Sequence, residues 1–251
     1  MKLSQEHEFR NYSRTLIRVW GPQHWWPART RFEVIVGAYL VQNTAWTNVE
    51  KTLRRLRASA LLTPQGIRRT PLRRLQSVLR PAGYFRQKAR SLKTFVAFLD
   101  QHYGGSLSRM FSQPTATLRP QLLALNGVGP ETADSILLYV GKHPILVVDA
   151  YTRRILDRHH ILPANTKYDE IRSFCERSLA PIAAQLRTEN WQPGTDFQPT
   201  AHDPSPMSRA NRAPLAQLYN DMHGLLVAVG KNYCLKSKPH CENCPLQKYL
   251  P

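Results

Sequence analysis

The sequence predicts an all-α protein, and three observations support that prediction. Apolar residues recur every three or four positions through most of the chain, which is the spacing of helices that bury one face. No stretch of useful length alternates polar and apolar residues, so β-strands are not expected. Prolines and glycines punctuate the periodic segments, as they do between short helices. The 251 residues suffice for one large domain or two small ones around a hydrophobic core.

The predicted helices follow from this periodicity along the chain. Arginines line the outer face of the second one, and Pro71, Pro81 and Gly83 punctuate the region of the third and fourth. In chain order the predicted helices cover residues 32–40, 47–56, 72–79, 87–99, 118–125, 132–140, 150–158 and 215–229.

Residues 191–214 break the pattern. They include five prolines, with Asp, Ser, Thr and Asn between them. Proline fixes φ and removes a backbone donor, so this composition does not easily form a helix interior or a packed strand. We expect a long surface loop or a disordered insertion there.

The charge balance is strongly basic. Thirty-five Lys and Arg residues stand against 17 Asp and Glu, which gives a net charge of +18 and a pI near 10.2. A field of this sign attracts polyanions and speeds encounter with them. Nucleic acid is the partner that this balance favours, with an anionic membrane surface or simple solubility as the alternatives.

No membrane-spanning or export segment is expected. Residues 1–14 are polar and lack an apolar core. The longest apolar stretch, residues 32–41, contains Glu33 and is too short to cross a bilayer. The default expectation is a cytoplasmic, nucleoid-associated protein. In that compartment the four cysteines are more readily free or metal-bound than paired in disulfides.

The most informative stretch is Leu-Asn-Gly-Val-Gly-Pro-Glu-Thr-Ala-Asp at residues 125–134, followed by Val-Val-Asp at 147–149. Gly127 and Gly129 permit a tight turn and a close backbone approach. Pro130 suits the first position of the next helix, whose free amide groups can bind a phosphate oxygen without reading a base. Taken alone, Leu-x-Gly-Val-Gly is also compatible with a purely structural turn.

Together with the Val-Val-Asp segment at residues 147–149, the motif resembles the endonuclease III superfamily of DNA glycosylases. In that superfamily a helix-hairpin-helix is followed by an aspartate at the start of the next helix, at the spacing that separates Gly129 from Asp149. The resemblance includes Gln42-Asn43-Thr44 and residues 80–89, and covers most of the chain outside the Pro-rich stretch. The residues that it implies contact DNA are Gly127, Val128, Gly129, Glu131 and Thr132 in the hairpin, and Gln42 and Asn43.

The resemblance also implies two helical lobes with duplex DNA and an extruded base between them. One lobe covers residues 32–142 and contains the hairpin. The other combines residues 1–31 with residues 143–251 and ends in a cysteine loop at 234–250. Gln42 and Asn43 are expected to insert into the base stack or to contact the orphan base, with a plain helix C-terminus as the alternative. We expect a monomer.

Asp149 is the predicted catalytic residue. Cleavage of an N-glycosidic bond builds positive charge on the sugar, and a nearby carboxylate stabilises that charge and can orient or deprotonate the attacking water. A position at a helix start helps to keep the carboxylate ionised. The alternative role for Asp149 is that of an N-cap, and the two roles are compatible.

Glu131 occupies the position at which strand-cleaving members of the superfamily carry a lysine. That lysine attacks the sugar and forms a Schiff base, which a carboxylate cannot do. The simple interpretation of Glu131 is a surface residue that complements the helix dipole. Its functional consequence is a predicted monofunctional glycosylase that uses water and has no efficient lyase activity.

The target base is indicated by Trp25-Trp26-Pro27. Together with residues 32–44 and 215–224, this segment resembles the 3-methyladenine glycosylase branch of the superfamily, in which it lines the base pocket. Aromatic faces attract cations, so alkylated, cationic purines are the predicted substrates. Core packing is the alternative for the tryptophans. The resemblance also places Lys231 in the pocket, with a solvated lysine as the alternative.

Near the C-terminus, three cysteines at positions 234, 241 and 244 are spaced as metal ligands often are. The spacing of Cys234, Cys241 and Cys244 resembles the [4Fe–4S] loop of the superfamily, but the position of the fourth cysteine is Leu250. A cluster normally requires four thiolates. The expectation is a [4Fe–4S] cluster with another fourth ligand; zinc and an empty loop are the alternatives, and Cys175 is more simply a buried thiol.

The predicted function is therefore base-excision repair of alkylated purines such as 3-methyladenine in double-stranded DNA. Two alternatives stay open: a glycosylase for another lesion or mismatch, such as adenine, uracil or an oxidised base, and a DNA-binding module without catalytic activity.

Overall fold

The computed structural model describes residues 2–183 and 202–251. Within these ranges every regular element is helical and no strand occurs, which confirms the all-α prediction. In chain order the α-helices are α1 (Lys2–Trp20), α2 (Arg31–Leu40), α3 (Trp46–Ala58), α4 (Pro64–Arg69), α5 (Leu72–Leu79), α6 (Phe85–Tyr103), α7 (Leu107–Phe111), α8 (Thr115–Leu123), α9 (Pro130–Ser135), α10 (Ala150–Arg158), α11 (Tyr168–Leu179) and α12 (Pro214–Asn232).

Shorter helical turns complete the fold. A π-helical segment, Ile136–Gly141, continues α9, and 3₁₀ turns cover Arg80–Ala82, Ala180–Ile182, Cys241–Asn243 and Gln247–Tyr249. Four of the α-helices, α1, α4, α7 and α11, are not among those predicted from periodicity. In the described ranges no helix is both long and apolar enough to cross a membrane.

The chain forms two compact units. We call residues 28–141 the hairpin unit, since they contain the Gly127–Gly129 motif. Residues 1–27 and 142–251 form the aspartate unit, which contains Asp149. Part of the Pro-rich stretch, residues 191–201, lies outside the described residues; the rest belongs to the aspartate unit.

Helix α2 is the core element of the hairpin unit. Every residue of it after Arg31 is buried. Thr30 caps its start by accepting a hydrogen bond from the Glu33 backbone amide at 3.1 Å, which satisfies one of the free amides of the first turn. The buried Glu33 carboxylate pairs with Arg57, so its charge is compensated.

Lys88 secures the end of α2. Its ammonium is buried and donates hydrogen bonds to the carbonyl oxygens of Leu40 at 2.8 Å and Ala82 at 2.7 Å. Burial lowers the pKa of Lys88 to about 8, because the charged form loses hydration. These bonds satisfy carbonyl groups that the helix end leaves open, and they hold the chain just ahead of Gln42.

Helix α12 is the core element of the aspartate unit. It packs against α1, α10 and α11, and it is buried from Leu218 to Gly230 except at Asp221. Each fully buried Leu or Val side chain on it contributes roughly 1.5–3 kcal/mol relative to exposure. This central position makes α12 the framework on which the side chains around Asp149 are arranged.

Candidate active site

The hairpin connects α8 to α9 through a tight turn. Gly127 adopts a left-handed conformation with φ of +81°, and the Val128 amide donates to the Leu125 carbonyl at 3.1 Å. A Cβ on Gly127 would lie 2.5 Å from the Ser91 hydroxyl oxygen. Position 127 therefore requires glycine for two reasons, backbone conformation and space.

Gly129 differs from Gly127. Its φ of −90° and ψ of 176° are open to any residue, and a Cβ there would meet no protein atom within 4 Å. Neither conformation nor packing within the described chain accounts for a glycine at this position. Open space next to the first turn of α9 is what a close approach by an external group would use.

Gln42 supports the hairpin from within the same unit. Its side-chain amide donates to the Gly127 carbonyl at 3.0 Å and to the Thr132 hydroxyl at 2.9 Å. Its neighbour Asn43 is exposed, with φ of +50°. The structure thus assigns Gln42 a contact with the turn, which the sequence did not indicate, and leaves the Asn43 side chain at the surface.

The other predicted hairpin residues divide between surface and core. Val128 and Thr132 are buried, whereas Gly129 and Glu131 are exposed. Beneath the turn, the fully buried Asp134 accepts two hydrogen bonds from the Arg119 guanidinium, at 2.7 and 3.2 Å. Such a bidentate pair fixes the orientation of α8, which carries Arg119, relative to α9, which carries Asp134.

Asp149 is the N-cap of α10. Its Oδ1 accepts hydrogen bonds from the Thr152 amide at 2.7 Å and the Thr152 hydroxyl at 2.9 Å. Its Oδ2 lies 3.6 Å from Nε2 of His223 on α12. The side chain is 11% exposed. Capping therefore uses one carboxylate oxygen and leaves the other beside a histidine.

The carboxyl group of Asp149 is ionised at neutral pH. Burial alone would raise its pKa, because a charged carboxylate loses hydration. The interaction with nearby His223 and the two bonds from Thr152 outweigh burial and hold the pKa of Asp149 below its ordinary value. A buried, ionised carboxylate is a group prepared to stabilise positive charge.

Trp25 and Trp26 are both buried in the aspartate unit. The ring of Trp25 lies 5.5 Å from that of Trp26, 5.4 Å from His202 and 6.1 Å from His223, measured between centroids. The Lys231 ammonium stands 5.8 Å from the centroid of the Trp25 ring, within the range of a cation–π contact. Pro27 follows, half-buried.

Two glycines let α12 approach these aromatic residues. A Cβ on Gly224 would lie 3.2 Å from Cβ of Trp25, and one on Gly230 would lie 2.2 Å from the Tyr151 ring. The Arg154 guanidinium donates to the Gly230 carbonyl at 3.0 Å and to the Cys234 carbonyl at 2.6 Å. These contacts fix the end of α12 that carries Lys231.

Residues 202–213 form a loop without helix or strand, in line with their prolines, and two buried side chains anchor it. Met207 and Arg212 are buried. Arg212 donates to the carbonyl oxygens of Met207 and Ala210, each at 3.0 Å, and the Ser205 hydroxyl donates to the Trp26 carbonyl at 3.4 Å. The guanidinium supplies donors to carbonyls that no regular element satisfies, which the composition alone did not reveal.

The cysteine loop lacks the donor set of a four-thiolate cluster. Cys234, Cys241 and Cys244 line one cavity, but Leu250 also lines it. Burial, helped by the other two cysteines, raises the pKa of the Cys244 thiol to about 11. Across residues 2–183 and 202–251, no three His, Cys, Asp or Glu side chains are grouped to hold a metal ion. A [4Fe–4S] cluster held by these three thiols would need a fourth ligand other than cysteine, and it stays a prediction.

The structure gathers some predicted residues and adds others. Asp149, Trp25 and Lys231 lie in the aspartate unit together with Thr152, His202 and His223. The sequence did not single out Thr152 or His202, and it placed His223 within the family-like segment 215–224 without giving it a role. We call these six residues the Asp149 site. Thr152 had a detectable signal, since it lies three residues after a candidate N-cap. His202 had no signal, and the role of His223 could not be predicted, because the contacts of both histidines depend on distant segments.

Comparisons with known proteins agree with this geometry. Residues 36–181 match the family model described as HhH-GPD superfamily base excision DNA repair protein. A Methanocaldococcus jannaschii protein, provisionally named DNA repair glycosylase MJ1434, is 36% identical over 235 residues, which cover 93% of this chain and 91% of that protein. Endonuclease III of Thermotoga maritima is 26% identical, with 87% of this chain and 81% of that protein covered.

Solved structures give the same assignment. The 3-methyladenine DNA glycosylase of H. pylori, bound to 1,N6-ethenoadenine, superposes with a TM-score of 0.71 at 25% identity, covering 90% of this chain and 97% of that one. These findings confirm the predicted resemblance to the endonuclease III superfamily. The chain belongs to the HhH-GPD superfamily of base-excision DNA repair proteins and is a DNA glycosylase of that superfamily.

Proposed function

We propose that this glycosylase excises alkylated purines from duplex DNA by hydrolysis, with Asp149 as its catalytic carboxylate. The observation that carries the proposal is an ionised, nearly buried Asp149 in the same unit as Trp25 and next to His223. The hairpin unit supports the contact with duplex DNA, since the open space at Gly129 leaves room for a phosphate.

The two carboxylate oxygens of Asp149 have different roles in the proposed reaction. Oδ1 is held by Thr152, which fixes the orientation of the group. Oδ2 has the longer contact, to His223 at 3.6 Å, and is the oxygen better placed to orient a water or face the sugar. As the glycosidic bond breaks, the negative charge stabilises the developing oxocarbenium ion. His223 keeps the carboxylate ionised and so acts as a positioning residue.

Strand cleavage through a Schiff base is not part of the proposal. The exposed residue Glu131 occupies the hairpin position where a nucleophilic lysine would be needed. A carboxylate cannot form an imine with the sugar. We expect borohydride to trap no substantial covalent complex with damaged DNA; an abundant trapped adduct would overturn this part of the proposal.

The aromatic surroundings favour an alkylated purine. Trp25 and Trp26 place two aromatic rings in the same unit as Asp149, and aromatic rings are the side chains on which an extruded base stacks. The H. pylori relative acts on 3-methyladenine, and its structure holds 1,N6-ethenoadenine. The Lys231 ammonium already lies over the Trp25 ring, so a cationic base must displace this exposed side chain. A neutral, alkylated purine such as ethenoadenine would not face that competition.

The test is a panel of duplexes that each carry one lesion. The panel includes 3-methyladenine, 1,N6-ethenoadenine, uracil, 8-oxoguanine and a mismatched adenine. We expect excision of the first two and little of the rest. Excision confined to uracil, adenine or 8-oxoguanine would replace the proposed substrate while retaining the enzyme. Excision from none, with duplex binding intact, would favour a damage-sensing module without catalytic activity. The partner is expected to be duplex DNA and the protein a monomer.

A further inference from the structure

A basic groove lies next to the hairpin, within the hairpin unit. It has a volume of about 650 Å³, and its lining includes Arg68, Arg69, Arg90, Lys93, Thr94 and Asn126. These residues come from α4, from α6 and from the hairpin turn. We call this surface the α4–α6 groove. The Asp149 mechanism uses none of its residues.

Two of its four cations form a rigid frame. Arg68 makes a two-bond ion pair with Asp100, one bond of which measures 2.7 Å between Nε and Oδ2. The Lys93 ammonium donates to the Arg68 carbonyl at 2.9 Å. Asp100 raises the pKa of Arg68 further above its ordinary value through this pairing. The frame therefore joins the end of α4 to the middle of α6.

The other two cations, Arg69 and Arg90, are exposed. Within residues 2–183 and 202–251, no hydrogen bond or ion pair joins the guanidinium group of either arginine to another residue. Two guanidinium groups mounted on a fixed frame, facing one groove, form a surface with unmatched positive charge. Guanidinium groups bind phosphate oxygens through paired donors, so the ligand chemistry that this surface fits is a phosphate ester.

The groove is continuous with the hairpin. Asn126 lines it and precedes Gly127 directly in the chain. The cations are spread along an open surface and are not gathered around one enclosed point. A single inorganic phosphate would be bound by one or two of these groups at most. A phosphodiester backbone carries one charge at each nucleotide and can meet several of them in succession.

We propose that the α4–α6 groove is a second anchor for the DNA backbone, which extends the hairpin contact along the duplex that flanks the lesion. The proposal rests on the proposed function for the identity of the ligand as duplex DNA. Its consequences differ from those of the proposed function. Arg69 and Arg90 should contribute to the affinity for any duplex, damaged or undamaged, and should leave the rate of base excision unchanged.

The test is the salt dependence of binding to an undamaged duplex. Each phosphate contact contributes about 0.9 to the slope of log affinity against log salt. The variant R69A/R90A should therefore lower the slope by roughly 2, while single-turnover excision at saturating DNA stays at the wild-type rate. The variant R69K/R90K, which retains both charges, should restore most of the slope.

The matched control is R54A/R55A, which removes two exposed arginines from α3 in the same unit. If its slope falls as much as that of R69A/R90A, general charge explains binding and the groove is not an anchor. An unchanged slope in R69A/R90A overturns the proposal as well. A protein that excises no lesion yet shows the expected slopes would contradict the proposed function and leave the groove assignment standing.

Discussion

The hairpin and the Asp149 site differ in how the chain builds them. The turn of the hairpin lies within one continuous stretch, residues 124–129, between two consecutive helices. The Asp149 site draws on four segments: the Trp25 region, the start of α10, the region of His202, and α12. The first region leaves open space beside the exposed Gly129, and the second surrounds an ionised carboxylate with aromatic and basic side chains.

This difference separates binding from chemistry. Phosphate contacts position a protein on DNA without reading or cleaving anything, so changes at the hairpin should alter affinity. Changes at the Asp149 site should alter the rate at saturating DNA. Five predictions test these two regions and the cysteine loop, beginning with the largest expected effect on catalysis.

Asp149→Asn should reduce single-turnover excision by on the order of 10²–10³-fold, the usual cost of removing a preorganised electrostatic group. Asparagine is as good an N-cap as aspartate, so α10 and the melting temperature should be retained. Duplex affinity should stay near the wild-type value. The control is Asp157→Asn, an exposed carboxylate on the same helix. Equal activity of D149N and wild type would remove Asp149 from the mechanism.

His223→Gln should lower excision near neutral pH by on the order of tenfold, since a charge partner within about 4–6 Å of a carboxyl group lowers its pKa by about 1–3. The pKa of Asp149 is held low partly by His223. Without that residue burial dominates, the pKa rises, and the acidic limb of the rate profile moves to higher pH. The profile of kcat against pH measures this shift. A uniform loss at every pH would indicate a purely structural role.

The lowered pKa of Asp149 also affects how the stability of the fold depends on pH. The folded-state pKa of Asp149 lies below its ordinary value, so its carboxylate stabilises the fold at neutral pH. That contribution is lost as the pH falls through the folded-state pKa. In H223Q, where burial raises the folded-state pKa, this contribution is reduced, so the melting temperature should fall less on acidification than that of the wild type.

The two hairpin glycines should respond differently to alanine. Gly127→Ala places a side chain at φ of +81° and against Ser91, so it should destabilise the fold by roughly 1–2 kcal/mol and weaken duplex binding. Gly129→Ala should leave the melting temperature unchanged, because its Cβ enters open space, yet weaken binding about as much. Unchanged affinity in G129A would show that no backbone phosphate approaches there.

Leu250→Cys should have the smallest effect on catalysis. It supplies a fourth thiol to the cavity that Cys234, Cys241 and Cys244 share, and four thiolates are the usual ligands of a [4Fe–4S] cluster. We expect L250C to take up more iron than the wild type, with excision little changed. The control is Tyr249→Cys, one position away. A full complement of iron in the wild type would show that three thiolates suffice.

The prediction from sequence succeeded where the signal is local. The all-α class follows from spacing within single helices, and the turn at Gly127 from residues that lie next to each other. The superfamily assignment, which family and structure comparisons confirm, used the same short motifs. The Pro-rich stretch shows the limit. Residues 202–213 form a loop, as the composition indicates, but the composition did not reveal that Arg212 anchors it through the carbonyls of Met207 and Ala210.

The sequence by itself therefore determined the class of fold, the hairpin turn and the position of an aspartate at a helix start, because each depends on residues within a few positions of one another. Tertiary structure decided which groups meet. Gln42 reaches the hairpin across 85 positions, and His223 reaches Asp149 from another helix. Such contacts depend on the packing of buried helices, above all α12, whose glycines admit Trp25 and Tyr151 and thereby assemble the surroundings of the carboxylate.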